Sequence, residues 1–170
     1  MLDNQGQAYF ALGDYERAEK IYLQTLEEAN EQDEPRQKSY VLPSLARALA
    51  AQDRTREAYA RFSEALTVAL HAGEHTQLLT IINCIAELMA DEGETNKALE
   101  LVRFVVVNEL VDSGDKQRAE VLIEKLVNEP ELRLNPEIKT TNEQIISLAK
   151  NLIPLLNERS AETQEDGYPH

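Results

Sequence analysis

Two histidines four residues apart, His71 and His75, a single cysteine, Cys84, and several adjacent carboxylate pairs are the residues of this chain whose chemistry could be catalytic or metal-binding. None of them is spaced for it. An i, i+4 histidine pair on one continuous helix can share a metal ion, but Gly73 falls between these two at an expected helix end, and two ligands without a third are too few for a usual site. Cys84 has no patterned histidine and acid to draw off its proton, and thiols on apolar or groove-lining helix faces are mostly inert. Glu27–Glu28 and Asp91–Glu92 are sequence neighbours, so their carboxylates point to different sides of a helix. The expectation is a protein that is not an enzyme and that carries no cofactor and no metal.

The elements that would position these side chains follow a repeat. Ala18, Ala58 and Ala98 lie 40 residues apart, and the same interval relates Leu2, Leu42 and Ile82; Gly6, Ala46 and Ala86; Tyr9, Leu49 and Met89; and Tyr22, Phe62 and Val102. A constant interval of this kind marks stacked supersecondary units, none of which can bury its apolar face alone. Within each unit apolar residues recur at i, i+3 and i+4, there are only six glycines, and no Asn-Gly hairpin turn occurs, so each unit reads as a helical hairpin. The first unit, about 1–32, runs helix A from Leu2 to Leu12, turns at Gly13-Asp14, and carries Ala18, Ile21, Tyr22, Leu26 and Ala29 on helix B. The second, 33–73, runs from Arg36 to Ala51, turns at Gln52-Asp53-Arg54 and stops near Gly73. The third, 74–112, spans Thr76 to Ala90 and turns at Glu92-Gly93-Glu94. Pro43 inside the second A helix should kink it or mark a later helix start.

Beyond Asn108 the register fails, because the phrase Gly114 to Ala119 places its alanine 21 residues after Ala98. Residues 115–128 read as a capping helix that closes an array over 1–128. Glu129-Pro130 and Asn135-Pro136 mark loop boundaries, and Thr140-x-x-Glu143 has the pattern of a capping box opening a last helix through Ile145, Ile146, Leu148, Leu152 and Ile153. Pro154 should bend or end that helix. A C-terminal helical extension over 129–158 is thus expected, followed by a polar, acidic and disordered tail over 159–170.

The residues resemble a tetratricopeptide repeat (TPR) array. Gly6, Tyr9, Gly13-Asp14-Tyr15, Ala18 and Tyr22 match the family pattern in the first unit, with only Thr25 off type. The second unit matches at Leu45, Ala46, Ala58, Phe62 and Ala65. The third matches at Ile85, Ala86, Gly93 and Ala98, with Val102 and Val105 where an aromatic and a small residue are usual. The resemblance runs from about Leu2 to Leu126 and implies an all-α, TPR-like right-handed α-solenoid of about three helical hairpins plus C-terminal capping helices. Its concave surface would hold a protein or peptide partner. A period of 40 exceeds the roughly 34 residues usual for the family, and is similar to the long repeats in C-terminal arrays of bacterial transcription activators and STAND-type NTPases. The resemblance therefore implies a protein–protein interaction scaffold within a bacterial signalling or regulatory protein, with a ligand-sensing or autoinhibitory module of a larger regulator as the alternative. No phosphate-binding Gly-x-x-x-x-Gly-Lys-Ser/Thr loop and no basic helix-turn-helix pattern is present, so neither ATP hydrolysis nor DNA binding carries over.

In such repeats helix A lines the inner surface. The 40-residue offset makes Asn4, Ser44 and Cys84 equivalent and places Gln7, Arg47 and Glu87 one turn further on; with Tyr40 and Asn83 these form the expected partner-binding groove. Asn4 coincides with the asparagine that TPR relatives use to hold a peptide backbone, whereas Ser44 and Cys84 depart from it. The paired Lys and Asn clamp for a C-terminal carboxylate is not matched. At the other end of the array, the outer side of the first helix would carry Tyr9 and other apolar groups, so an upstream repeat or a second copy of the chain is expected to cover it, making a homo-oligomer possible.

With 31 acidic and 17 basic residues the 170-residue chain has a formal charge of -14, which disfavours nucleic acid and anionic bilayers as partners. Its apolar runs fall short of the roughly 20 residues that span a bilayer, and MLDNQGQAYF lacks the basic and apolar regions of a signal peptide. One cysteine cannot form an internal disulfide, and the default setting is cytoplasmic.

Overall fold

The computed structural model describes residues 2–127 and 141–161, and all regular structure among them is helical. Eight helices follow in order: α1 (Leu2–Ala11), α2 (Tyr15–Glu31), α3 (Pro35–Ala50), α4 (Thr55–Ala72), α5 (His75–Asp91), α6 (Thr95–Val106), α7 (Ser113–Leu126) and α8 (Asn142–Ala161). None of them is long and apolar enough to cross a membrane.

Five successive turns are built alike. Gly13, Asp33, Asp53, Gly73 and Gly93 all have positive φ, between 50° and 82°. The residue after each, Asp14, Glu34, Arg54, Glu74 and Glu94, donates its amide to the carbonyl five positions back at 2.8–3.0 Å and then serves as N-cap of the next helix. That bond satisfies a carbonyl the ending helix leaves over, and it requires a left-handed residue just before the donor. Glycine adopts this conformation freely, and aspartate tolerates it better than most side chains. Both sets of positions are spaced 20 residues apart, so two helix-plus-turn units make the 40-residue repeat. The spacing ends with α6, which has 12 residues against 16–18 in α2 to α5.

Helices joined by such short turns must double back, and α1 packs on α2, α3 on α4 and α5 on α6. Successive hairpins meet through α2 on α3, α4 on α5 and α6 on α7, while α1, α3 and α5 each touch the next odd-numbered helix. Ala18, Ala58 and Ala98 are fully buried, as are Leu42, Ile82, Ala46 and Ala86. Small residues are demanded here by close approach: a Cβ on Gly6 would lie 2.5 Å from Cε1 of the buried Tyr22 ring. Thr25, the residue off pattern, is buried but donates its hydroxyl to the Ile21 carbonyl at 2.9 Å, so no polar atom there lacks a partner.

The structure departs from the sequence reading at several points. Pro43 neither ends nor delays α3, which runs unbroken from Pro35. The carbonyl that a residue-43 amide would have used belongs to Ser39, and it accepts Gln77 Nε2 from α5 at 2.9 Å. Gly114 is not a turn glycine. Asp112 caps α7 by accepting the Gly114 and Asp115 amides, so the Gly-Asp phrase lies in the first helical turn. The capping box forms one residue later than expected: Thr141 Oγ1 accepts the Gln144 amide at 3.3 Å and Gln144 Oε1 accepts the Thr141 amide at 2.8 Å. Pro154 sits inside α8, which continues to Ala161, so Arg159 to Ala161 are helical rather than part of a tail. The rest of the expected tail, 162–170, and the loop boundaries at Pro130 and Pro136 lie outside the described residues.

Two further differences concern the ends. α8 does not pack on α7, its predecessor in the chain; it packs on α4 and α5. The outer side of α1 is less apolar than expected, because an exposed Gln5 stands where Leu45 and Ile85 are buried, and only the small Ala8 stands where Ala48 and Leu88 are buried. Tyr9 is half-buried beneath the Arg17 guanidinium, 5.6 Å from its ring centroid, and Leu12 remains 80% exposed. Since the contact of α4 with its neighbours is close-packed around Ala58, Ala58→Leu is expected to lower the unfolding free energy by about 1–3 kcal/mol, measured by urea titration, with the native helical circular dichroism retained.

Candidate functional site

Arg47 on α3 and Glu87 on α5 are brought together by the 40-residue offset, and α1 and α4 close a recess of about 390 Å³ around them. Phe10, Phe62, Cys84 and Leu88 also line it. The Arg47 guanidinium lies 4.8 Å from the Phe10 ring centroid, a cation–π distance, and its Nε is 3.9 Å from Glu87 Oε2. Glu87 Oε1 in turn stands 3.6 Å from Arg118 Nη1 on α7. Arg118 Nη2 binds the buried Asp115 carboxylate and lies 3.8 Å from Cys84 Sγ, and Asp115 also receives the Thr80 hydroxyl. A line of alternating charges therefore ties α3, α5 and α7 together along one side of the odd-numbered helices.

The remaining expected groove residues divide by burial. Asn4 and Gln7 are exposed on α1, Tyr40 is 45% exposed, and Ser44 is half-buried. Asn83 is a correction: it is fully buried, and its Nδ2 donates to the Asp115 carbonyl at 3.1 Å, joining α5 to α7 instead of facing a ligand. Cys84 is 3% exposed. Burial pushes its thiol up, and Glu87 adds to that, against the opposing pull of Arg47 and Arg118. A thiol kept protonated is a poor nucleophile. His71 lies in the last turn of α4 and His75 begins α5, on either side of left-handed Gly73, so they share no helix face. Among the described residues no group of three or more His, Cys, Asp and Glu side chains could hold a metal ion.

A second charged cluster was not anticipated. Arg159, near the end of α8, reaches the turn between α5 and α6. Its Cζ lies 5.1 Å from the Tyr59 ring centroid, Nη1 donates to Tyr59 Oη at 3.1 Å and to Glu92 Oε2 at 3.3 Å, and Nη2 binds Glu94. Tyr59 donates its hydroxyl to Glu92, and burial followed by that carboxylate pushes its phenol up. Hydrogen bonds from Lys97 and then Arg159 hold the Glu94 carboxyl below its ordinary range. The signal for this cluster was present in the repeat. The offset relates Tyr59, Glu92 and Glu94 to Glu19, Gln52 and Arg54, where Arg54 Nη1 binds Glu19 at 2.7 Å and Gln52 Nε2 binds it at 2.9 Å. The third hairpin carries an acid at the arginine's place; Lys97 takes one oxygen of that acid and Arg159 of α8 takes the other.

The fold thus defines an all-α protein of packed helical hairpins with a polar recess. No protein-family model, curated protein or solved structure matches the chain.

Two outcomes follow from these environments. Cys84 is expected to react with a water-soluble disulfide reagent at least about tenfold more slowly in the native chain than in urea, as a buried protonated thiol should. A depressed carboxyl pKa stabilises the fold fully above the unfolded value and ceases to do so as pH falls through the native one. The unfolding free energy is therefore expected to drop as pH is lowered below the ordinary Glu value of 4.5, and Glu94→Gln should flatten that drop in urea titrations.

Proposed function

We propose that the chain is a TPR-like right-handed α-solenoid that acts as a protein–protein interaction scaffold, holding a peptide or helix of a partner along its odd-numbered helices. The observation that carries this reading is the recess that gathers Phe10, Arg47, Cys84 and Glu87 from three successive hairpins. An aromatic face beside an Arg–Glu pair offers both apolar contact and hydrogen-bonding capacity, the combination from which peptide anchors are built. Burial of every repeated alanine and the contact of each odd-numbered helix with the next support the stacked arrangement. The formal charge of -14 favours association with basic segments. A signalling or regulatory setting is supported by the 40-residue repeat length, and a reducing, cytoplasmic one by the free, buried Cys84.

The test compares wild type, Arg47→Ala/Glu87→Ala, and a control with exposed Glu16 and Lys20 of α2 changed to alanine. Proteins captured from lysate by wild type are identified, and the binding segment of the strongest is measured by calorimetry against all three. The recess variant is expected to bind at least about tenfold more weakly, the equivalent of roughly 1.4 kcal/mol, while the control binds like wild type. Equal affinity for all three would remove the recess from the function.

A further inference from the structure

The place of α8 is set by a seat on the array rather than by chain order. α8 packs on α4 and α5 but not on α6 or α7, and it buries an apolar stripe, Ile145, Ala149, Leu152 and Leu156, at i, i+4, i+7 and i+11. On the α4 side, Ser63 Oγ donates to Asn157 Oδ1 at 2.6 Å. Arg159, three residues past the stripe, completes the contact through Tyr59, Glu92 and Glu94, while Lys97 takes the other Glu94 oxygen at 2.8 Å. This seat is peculiar to the second hairpin. On α2 the residue equivalent to Ser63 is Leu23, which is 42% exposed, and none of the described helices other than α1 and α3 packs on α2. There the junction between hairpins closes by itself through Arg54 and Glu19. At the next junction two carboxylates and a phenol converge, and the guanidinium comes from α8. Arg159 Nε, buried and lacking a hydrogen-bond partner, would gain one from water on leaving.

We propose that α8 is an exchangeable occupant of a helix-binding seat on α4 and α5, and that the seat accepts in its place an external amphipathic helix with the same apolar spacing and an arginine three residues beyond it. Such a partner lies antiparallel to α4, as the pairings Tyr59–Arg159 and Ser63–Asn157 require. This surface borders the recess around Arg47 at Glu92, which belongs to both, but Ser63, Glu94 and the α8 stripe lie outside the recess lining, and the proposal holds whether or not that recess binds a peptide. While α8 is docked, the affinity for an external helix is reduced by the fraction of molecules with the seat open.

The experiment uses the full chain as wild type, Arg159→Glu, and the charge swap Arg159→Glu/Glu94→Arg, with a fluorescent peptide of residues 141–161 as the probe. In Arg159→Glu, amides of α8 are expected to exchange at least about tenfold faster while those of α3 to α5 keep their protection, and the peptide is expected to bind at least about tenfold more tightly than to wild type. The swap should restore protection of α8 and abolish peptide binding. Should Arg159→Glu fail to fold, Arg159→Gln replaces it in the same comparison. The proposal is overturned by any of three results: α8 exchanging only with global unfolding in every variant, the peptide binding no better to the opened chain than to wild type, or both Arg159 variants losing the whole fold.

Discussion

A left-handed residue every 20 positions is the constraint from which the rest of the molecule follows. Gly13, Asp33, Asp53, Gly73 and Gly93 each let one helix stop and the next amide bond back across the turn. Because the interval is constant, α2 to α5 have nearly equal lengths, and a residue at a given place in one hairpin meets equivalent neighbours in the next. Only then can a single rule for side-chain size work throughout. Gly6 beneath the Tyr22 ring and the buried alanines at 18, 58 and 98 are results of that regularity.

Charge differentiates hairpins that packing makes alike. At the junction of the first and second, Arg54 meets Glu19 directly. At the next junction the same places hold Glu94 and Tyr59, and α8 provides Arg159. Along the odd-numbered helices Arg47, Glu87, Arg118 and Asp115 alternate in sign, which keeps partly buried charges paired across three helices. The acidic excess of the chain therefore does more than keep it solvated: some of its carboxylates are structural counterions, and two of them make a receptor for a guanidinium.

Much of the fold could be read along the chain. The glycine turns, the small residues at a 40-residue interval and the i, i+3, i+4 stripes placed the first seven helices within a few residues of their observed ends. Part of the candidate site was also legible, since the offset that related Arg47 to Glu87 is the one that brings them into a common recess. Asn83 was misread because it lies next to Cys84 on a helix buried on nearly every side; its neighbour on the far side, α7, comes from a region where the repeat register no longer holds. Pro43 was read as a kink or a later helix start because its lost hydrogen bond is a local fact; the helix starts at Pro35 all the same, and the Ser39 carbonyl left over is satisfied by Gln77 from the next hairpin.

The sequence by itself determined the helices, their turns and the interval that relates one hairpin to the next, because each depends on residues within about five positions or on a strict period. Tertiary structure alone decided where α8 goes. Its contacts join residues 94 and 100 positions apart, Ser63 with Asn157 and Tyr59 with Arg159. No local preference encodes such a pairing. It arises when an apolar stripe and one guanidinium find a seat where two carboxylates and a phenol converge, and the cost of closing a long loop grows only slowly with its length.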